Sequence, residues 1–460
     1  MFDLIRRELE NKKVLLLGFG REGRSSYHLI RRILPTLHLT IADQNKKVAE
    51  DEILKKDGFI DFHLGEGYLE GLNDFDLILK SPGITLKDIS YKPDLASITS
   101  QTDLFLRRYS SQIIGITGTK GKSTTSTLIY HILGLADKKS VLMGNIGRPA
   151  FDFIDEIDPE TIMVYELSSH QLEYIRRPPH VAVVLNFYQE HLDAYKSFED
   201  YQLAKMNIAK YQVVGDRLIF NYDDERIRHF ISSMNIQSGF AYSLQTLLKD
   251  GCSICDNQII YSSGGQTESI FDLRKKIKLK GEHNLMNIMA AVCACKETGI
   301  DNAIIAEGIS SFQGLEHRME YVGEINGIQF YNDSIATIPE ACIEAIKALE
   351  NVDTLILGGF DRGIDYSGLA RFLSASGIRN LIFTGDAGRR ILHEIKDIKQ
   401  PIQTLFLISR FDEFKEIAFN VTEKGHICLL SPAAASYNEF QNFEVRGKRF
   451  KELVTGLTTD

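Results

Sequence analysis

Short aliphatic runs alternating with longer amphipathic stretches set the hydrophobic pattern of this chain. The short runs, bounded by glycine, asparagine, aspartate or lysine, read as strands covered on both faces, and the stretches between them as helices laid over those strands. The alternation predicts an α/β fold with mostly parallel sheets, since a parallel pair needs a crossover of about a dozen residues. Three sets of strands stand out. The first is predicted at 14–17, 39–42 and 77–79; the second at 113–117, 141–143, 162–165, 181–185 and 218–221; the third at 329–331, 355–357, 381–383 and 427–430. The sets break near residue 102 and near Gly314, which predicts three domains, 1–102, 103–314 and 315–460. No internal repeat or low-complexity segment interrupts them.

Composition narrows the class. A chain of 460 residues with 43% hydrophobic and 25% charged positions suits a soluble protein of several domains. A formal net charge of −9 argues against sequence-independent binding to nucleic acid, which needs a basic face, but leaves room for a local basic pocket for a phosphorylated small molecule. No apolar run has the length of a membrane span, so no membrane insertion is expected. The 14–17 run follows Lys12 and Lys13 but enters a charged glycine turn rather than a small-residue cleavage site, and therefore reads as a buried strand. Six thinly spread cysteines suit a reducing cytoplasm. Cys252 and Cys255 have CxxC spacing but no second CxxC or nearby His pair, and read as structural.

The chemistry concentrates in the second domain. The segment Ile113-Ile114-Gly115-Ile116-Thr117-Gly118-Thr119-Lys120-Gly121-Lys122-Ser123-Thr124-Thr125 runs from an apolar strand through a glycine-rich turn into a helical pattern over 125–133. Glycines let backbone N–H groups approach phosphate oxygens, and the helix N-terminus adds favourable partial charge. Lys122 would reach the terminal phosphates of a nucleotide and the Ser123 hydroxyl would ligate Mg²⁺. Ile116 stands where the strict phosphate-loop pattern has glycine, so this is a variant loop. Glu166 closes the next strand but one, where a carboxylate is well placed for Mg²⁺. His191 lies in the 186–191 segment that follows the succeeding strand. In the first domain Gly18, Gly20 and Gly23 follow a strand, and Asp43 closes the next one, as in a dinucleotide-binding unit. Such a unit can hold NAD, another nucleotide diphosphate, or nothing.

Read in order, further segments join these: Gly144-Asn145-Ile146-Gly147, Glu166-Leu167-Ser168-Ser169, Gly281-Glu282-His283-Asn284-Leu285-Met286-Asn287, Gly314-Leu315-Glu316-His317-Arg318 and Asn332-Asp333-Ser334. Together with the phosphate loop they resemble the Mur ligase family, the cytoplasmic amide-forming enzymes of peptidoglycan precursor synthesis. The stretch from Leu430 to Ser436, then Asn442-Phe443-Glu444-Val445-Arg446-Gly447, and Lys80-Ser81-Pro82-Gly83, are similar to the branch that uses D-glutamate. The resemblance covers nearly the whole chain. It implies a Rossmann-like, UDP-binding N-terminal domain, a P-loop-type central ATPase domain and a Rossmann-like C-terminal domain. It also implies a cytoplasmic, monomeric enzyme that joins D-glutamate to UDP-N-acetylmuramoyl-L-alanine, at the expense of ATP and through an acyl phosphate.

Residue by residue, the resemblance gives Gly20, Arg21, Glu22, Asp43, Ser81 and Gly83 to the uridine diphosphate, and Asn145, Ser168, Gln171 and His191 to the muramoyl-alanine end. The loop Gly118, Thr119, Lys120 and Gly121, with Lys122, Ser123 and Thr124, takes the ATP phosphates. Asn284 and Asn287 lie near adenine, and Arg318 and Asp333 come to the nucleotide from the last domain. Lys122 and Arg318 would stabilise phosphoryl charge. One Mg²⁺ is assigned to Ser123 and Glu166, and a second to His191 and a carbamylated Lys205. Arg362 and Thr337 would hold the α-carboxylate of D-glutamate, and the Ser436 hydroxyl and Phe443 N–H its side-chain carboxylate. Three positions depart from the family: Ile335 and Arg362, each where relatives carry lysine, and His170, where an aromatic or aliphatic residue is expected.

Overall fold

The computed structural model describes all residues except 88, 90, 92, 145–147, 190–193, 235, 237, 238, 276, 280, 399–402 and 457–460. The chain forms two compact units, Met1–Phe312 and Gln313–Asp460.

The first unit holds two sheets. In the smaller one, β1 (Val14–Leu17), β2 (Leu39–Asp43), β3 (Ile60–Leu64), β4 (Leu77–Lys80) and β5 (Ile98–Thr99) run parallel in the order β3-β2-β1-β4-β5. The chain winds outward from β1 to β3 and then returns to the other side of β1. The crevice between the carboxyl ends of β1 and β4 is therefore a topological switch point, where open α/β sheets bind ligands. The second sheet comprises β6 (Ile113–Thr117), β7 (Ser140–Gly144), β8 (Ile162–Glu166), β9 (Val181–Val184), β10 (Arg217–Asn221), β11 (Gly239–Ser243), β12 (Gly251–Cys255), β13 (Gln258–Ser263) and β14 (Gln266–Asp272). Its order is β14-β13-β12-β11-β10-β9-β6-β8-β7, with antiparallel pairing, among the described residues, only at β12–β13 and β13–β14. Helices Lys122–Leu135, Glu282–Glu297 and Asn302–Ser311 cover one face, burying Leu128, Ile132, Ile288 and Val292 against Ile114, Ile116 and Val183. On the other face the core is continuous with that of the first sheet, through Leu104 and Phe105 of helix Gln101–Tyr109.

The second unit is built on one sheet of β15 (Glu320–Ile325), β16 (Ile328–Asn332), β17 (Val352–Gly358), β18 (Asn380–Thr384), β19 (Thr404–Leu407) and β20 (Ile427–Leu430), in the order β15-β16-β20-β17-β18-β19. Among the described residues of this sheet only β15 and β16 pair antiparallel. Separate apolar clusters lie on its two faces, one around Leu369, Ala387 and Ile391, the other around Phe411, Phe414 and Phe450.

The twelve predicted strands are all present, most of them one or two residues longer. The eight unpredicted ones are β3, β5, β11 to β15 and β19, which are short, polar or edge elements. Ile60–Leu64 and Gln266–Asp272, for example, have mostly exposed or half-buried residues, so they lack the doubly covered aliphatic run that marks a central strand. The predicted helix over 125–133 starts earlier, at Lys122. Cys252 is buried and Cys255 exposed on the same strand, and both are free thiols. Among the described residues no helix is long and apolar enough to cross a membrane.

Candidate functional site

β6 lies between β8 and β9, so the loop at its carboxyl end is flanked by two other strand ends. Gly118 and Gly121 have φ of 157° and 86°. A Cβ on Gly121 would fall 2.2 Å from the Asn287 amide oxygen, so glycine here lets the loop pass under helix Glu282–Glu297. That contact brings Asn287 to the loop, and the Asn287 amide donates to the Asn284 side chain one turn away at 3.4 Å. Asn186, just past β9, pins the loop: its Oδ1 accepts from Thr119 N–H (3.1 Å) and Lys120 N–H (2.8 Å), and its amide donates to the Lys120 carbonyl (3.0 Å). The following helix starts at Lys122, with Gly121 as its N-cap, and Thr125 N–H donates to the Gly121 carbonyl. The N–H groups of Lys122, Ser123 and Thr124 are therefore the end donors that a helix leaves for an anion. The Lys122 ammonium curls back over the loop and donates to the carbonyls of Gly118 (2.9 Å) and Thr119 (3.0 Å).

Glu166 ends β8, is buried, and stands in register with Ile116 of the phosphate strand. Lys205, 2% exposed, reaches the same loop from helix Phe198–Lys210 and donates from Nζ to the Gly118 carbonyl at 2.8 Å. Tyr201, one turn earlier, places its ring 4.8 Å from that ammonium and its hydroxyl 3.0 Å from Thr119 Oγ1. Sequence reasoning gave no role to Asn186 or Tyr201. The signals were present: Asn186 opens a segment already singled out, and Tyr201 sits four residues before Lys205, on the same helix face.

The donor set suits Mg²⁺, which is usually held by one or two carboxylates together with substrate phosphates and water. Ser123 and Glu166 supply hard oxygens beside the loop. Lys205 is an amine here and would offer oxygen only as a carbamate. Among the described residues no group of three or more His, Cys, Asp or Glu is placed to hold a metal ion. His191 and Asn145 lie outside the described residues.

At the switch point of the first sheet, a cleft of about 400 Å³ is lined by Gly18, Gly20, Arg21, Glu22 and Asp43, by Ser81, Pro82, Gly83 and Ile84, and by Gly144, Pro149, Ser168 and Gln171. It gathers every described residue that the resemblance assigned to the UDP substrate. Gly18, at φ 92°, turns the chain where a Cβ would meet Ser81 and Ile84 at 2.9 Å. Asp43 acts on the turn itself, accepting from Phe19 N–H (2.7 Å) and Asn45 N–H (2.8 Å). Ser168 caps helix Ser169–Leu172 in a reciprocal box with Gln171. The Gln171 amide then donates to Glu22 Oε1 at 2.8 Å, while Glu22 Oε2 is buried without a hydrogen-bond partner. Burial pushes the Glu22 carboxyl above its ordinary pKa, against the pull of Gln171, Arg21 and Lys80. Beside the cleft, buried Lys80 pairs with Glu173 (3.0 Å), which also meets the ring of His170, and His170 stacks on Tyr195.

In the second unit Asp333 follows β16 and is buried. It accepts from Ser431 Oγ (2.8 Å) and Met319 N–H (3.1 Å), so it fixes the segment that carries exposed Arg318 between the left-handed residues His317 and Met319. Burial raises the Asp333 pKa to about 7. An Asp whose folded pKa lies above its unfolded value favours the fold most fully below the unfolded pKa, and that contribution is lost as pH rises through the folded value. The window here runs from 3.8 to about 7, with a size on the order of 4 kcal/mol. Asp333→Asn is therefore expected to unfold less readily than the parent at about pH 8 and to match it at about pH 4. Unfolding midpoints of both proteins at the two pH values check this; a parent with a flat profile would refute it. Arg362 donates to the Thr337 carbonyl at 2.7 Å, so these two predicted D-glutamate residues meet, although through the backbone of Thr337 rather than its hydroxyl. Buried Ser436 follows β20, and Phe443 is the first residue of helix Phe443–Thr455.

This layout, with a pinned phosphate loop at strand ends, a second nucleotide-type cleft and a further parallel sheet with a polar loop edge, is that of a multidomain nucleotide-dependent α/β enzyme. Residues 116–295 match the Mur ligase middle domain and residues 317–434 the Mur ligase, glutamate ligase domain. The chain belongs to the Mur ligase family. It is 34% identical over 465 residues to the UDP-N-acetylmuramoylalanine–D-glutamate ligase of Acetivibrio thermocellus, covering 98% of each chain. It is 33% identical over 473 residues to the protein of the same name from Clostridium kluyveri, covering 99% of each. Among solved structures it resembles MurF of Acinetobacter baumannii (TM-score 0.58, 13% identity, 94% of each chain). It also resembles MurF of Thermotoga maritima in complex with ADP (TM-score 0.54, 17% identity, 99% and 100% of the two chains). These structures speak for the three-domain α/β fold class.

Proposed function

We propose that this chain is the ATP-dependent ligase that adds D-glutamate to UDP-N-acetylmuramoyl-L-alanine in peptidoglycan precursor synthesis, working in the cytoplasm as a monomer. The observation that carries the reading is the pinned loop from Gly118 to Thr124, with buried Glu166 and Lys205 beside it, in a chain of this family whose curated relatives bear that activity along their whole length. The domain division of 1–102, 103–314 and 315–460 belongs to the same reading.

A carboxylate is a poor electrophile toward an amine. The alanyl carboxylate oxygen attacks the γ-phosphorus of ATP, ADP departs, and the acyl phosphate retains the transferred phosphoryl. The D-glutamate amine then attacks the acyl carbon; phosphate leaves and the amine gives up a proton. The loop N–H groups and Lys122 hold the phosphoryl charge through both steps. Mg²⁺, held by Ser123 and Glu166 at one position and by His191 and carbamylated Lys205 at another, would lower the repulsion between carboxylate and triphosphate. The cleft between β1 and β4 takes the uridine diphosphate on Gly20, Arg21, Glu22, Asp43, Ser81 and Gly83, while Ser168, Gln171, Asn145 and His191 face the muramoyl-alanine end. Asn284 and Asn287 attend the adenine, and Arg318 and Asp333 keep their ATP role. Arg362 and Thr337 take the α-carboxylate of D-glutamate, and Ser436 and the Phe443 N–H take its side-chain carboxylate.

The test is phosphate release with UDP-N-acetylmuramoyl-L-alanine and a panel of amino acids. D-Glutamate is expected to be preferred by about 10⁴-fold over D-alanine or lysine, because a ligand lacking a carboxylate leaves buried donors unpaired. Equal acceptance of L-lysine or meso-diaminopimelate would end the D-glutamate assignment and leave the ligase class intact. In the same assay Ser436→Ala should raise the D-glutamate KM more than it lowers kcat, since its contact persists from ground state to transition state. Arg362→Ala should do worse, because it removes a charge-assisted pair and Ile335 supplies no second cation.

A further inference from the structure

Arg446 is one of the largest fully buried side chains in the protein, 2% exposed on the first turns of helix Phe443–Thr455. Among the described residues its guanidinium donates only to oxygens of three loops. Nε meets Ser334 Oγ (3.0 Å), Nη2 the carbonyls of Ser334 (2.8 Å) and Ala434 (3.1 Å), and Nη1 those of Ala435 (3.3 Å) and, most weakly, Gly358 (3.5 Å). These five bonds match the five N–H donors of arginine, and no carboxylate is among the acceptors. The three loops leave the carboxyl ends of β16, β17 and β20, which are neighbours in the sheet. Two backbone features show how closely they are drawn together. Ala433 sits at φ 54°, a left-handed conformation unusual for alanine. Gly359, at φ 141°, could not carry a Cβ, which would lie 2.2 Å from the Ala435 carbonyl and 3.1 Å from Arg446 Nη1.

The Ala435 carbonyl accepts twice, from Arg446 and from Phe360 N–H at 2.8 Å. In a planar trans peptide the N–H points opposite to the carbonyl, so the Ser436 N–H is turned away from the guanidinium. We infer that Arg446 is the positioning residue of the amino-acid pocket: it locks the three loops, turns the Ser436 N–H and hydroxyl toward the side-chain carboxylate of a dicarboxylic amino acid, and lends that carboxylate an otherwise uncompensated positive charge. A buried cation without a counter-ion is costly until an anion arrives, and burial alone pushes the Arg446 pKa below its ordinary value. The device therefore favours an acceptor with a second carboxylate over a neutral isostere. This rests on the D-glutamate reading above.

The experiment compares the unmodified enzyme with R446K, R446Q and R446A in steady-state phosphate release, varying each substrate in turn. R446K keeps the charge and loses the fork, and is expected to raise the D-glutamate KM by at least about tenfold with a smaller change in kcat and little change in KM for ATP or the UDP substrate. R446Q should in addition lose most of the preference for D-glutamate over D-glutamine. Guanidinium at non-denaturing concentration should restore R446A in part. If R446Q or R446A fails to fold by circular dichroism, R446K decides alone. An R446K enzyme with the parental D-glutamate KM, or one whose three KM values and thermal midpoint shift together, would overturn the inference and leave the ligase reading standing. An unmodified enzyme that ligates no D-glutamate would overturn both.

Discussion

Lys122→Ala should lower ATP-dependent ligation by about 10³-fold, the loss seen when a donor aimed at developing charge is removed from a preorganised site. The argument separates the ammonium from the loop that bears it. Asn186 holds Thr119 and Lys120 through three side-chain bonds and a backbone bond from Thr119 N–H, and Thr119 Oγ1 is tied to Tyr188 and Tyr201. Deleting the lysine side chain removes its bonds to Gly118 and Thr119 and leaves the Asn186 and Tyr201 ties in place, so the loop should keep its shape. An incoming phosphate would compete with those carbonyls for the same ammonium. The cleft proposed for the UDP substrate is lined by Gly18, Gly20, Arg21, Glu22, Asp43, Ser81 to Ile84, Ser168 and Gln171, at the strand ends of the other sheet, whereas Lys122 donates to the carbonyls of its own loop. Affinity for the UDP substrate should therefore stay within about twofold while turnover collapses, a split that marks transition-state stabilisation. Isothermal titration with the UDP substrate and single-turnover phosphate release measure the two halves. A variant that ligated within about tenfold of the parent would mean that this loop does not hold the transferred phosphoryl.

The phosphate loop was legible because its chemistry is contiguous: strand, glycine turn, lysine and helix fall within thirteen residues, and the structure moves only the helix start, to Lys122. The cleft of the first sheet was legible in parts alone. Gly18 to Gly23 announced a turn, but Ser168 and Gln171 reach it from about 150 residues away along the chain (Gln171 to Glu22, |i−j| = 149), and only the resemblance linked them. Asp43 closes β2 as the sequence pattern indicated, and its two carboxylate oxygens accept from backbone N–H groups of its own turn, a tie that spacing alone does not announce. Edge strands such as Ile60–Leu64 escaped because half-buried alternation over five residues is a weak signal. Arg446 escaped for the opposite reason. A charged residue early in a helix reads as solvated, and nothing local announces that three loops from distant strands will close around it.

Lys205 carries the other large expected effect, and its structure frames two competing roles. A lysine only 2% exposed, donating to Gly118 at 2.8 Å and lying 4.8 Å from the Tyr201 ring, is already satisfied as a cation. If that were its function, Lys205→Arg would keep the charge, a donor for the loop carbonyl and the aromatic contact, and should retain much of the activity. The family resemblance points elsewhere. A neutral amine that takes up CO₂ becomes an anionic carbamate and releases one proton, which converts a donor into an oxygen ligand of the kind Mg²⁺ prefers. Arginine cannot follow that path. Lys205→Arg and Lys205→Ala are therefore both expected to fall by about 10³-fold, an effect like that of losing a preorganised charge at the reacting phosphoryl. Formate or acetate should restore part of the activity of Lys205→Ala, whose shortened side chain leaves room for a carboxylate, and none of that of Lys205→Arg, whose guanidinium fills the same space. ¹³C-bicarbonate with NMR detection of a carbamate carbon in the unmodified protein, absent from both variants, gives a readout independent of turnover. An active Lys205→Arg enzyme, with no carbamate signal from the parent, would return Lys205 to the role it has in this structure, a buried cation bracing the phosphate loop.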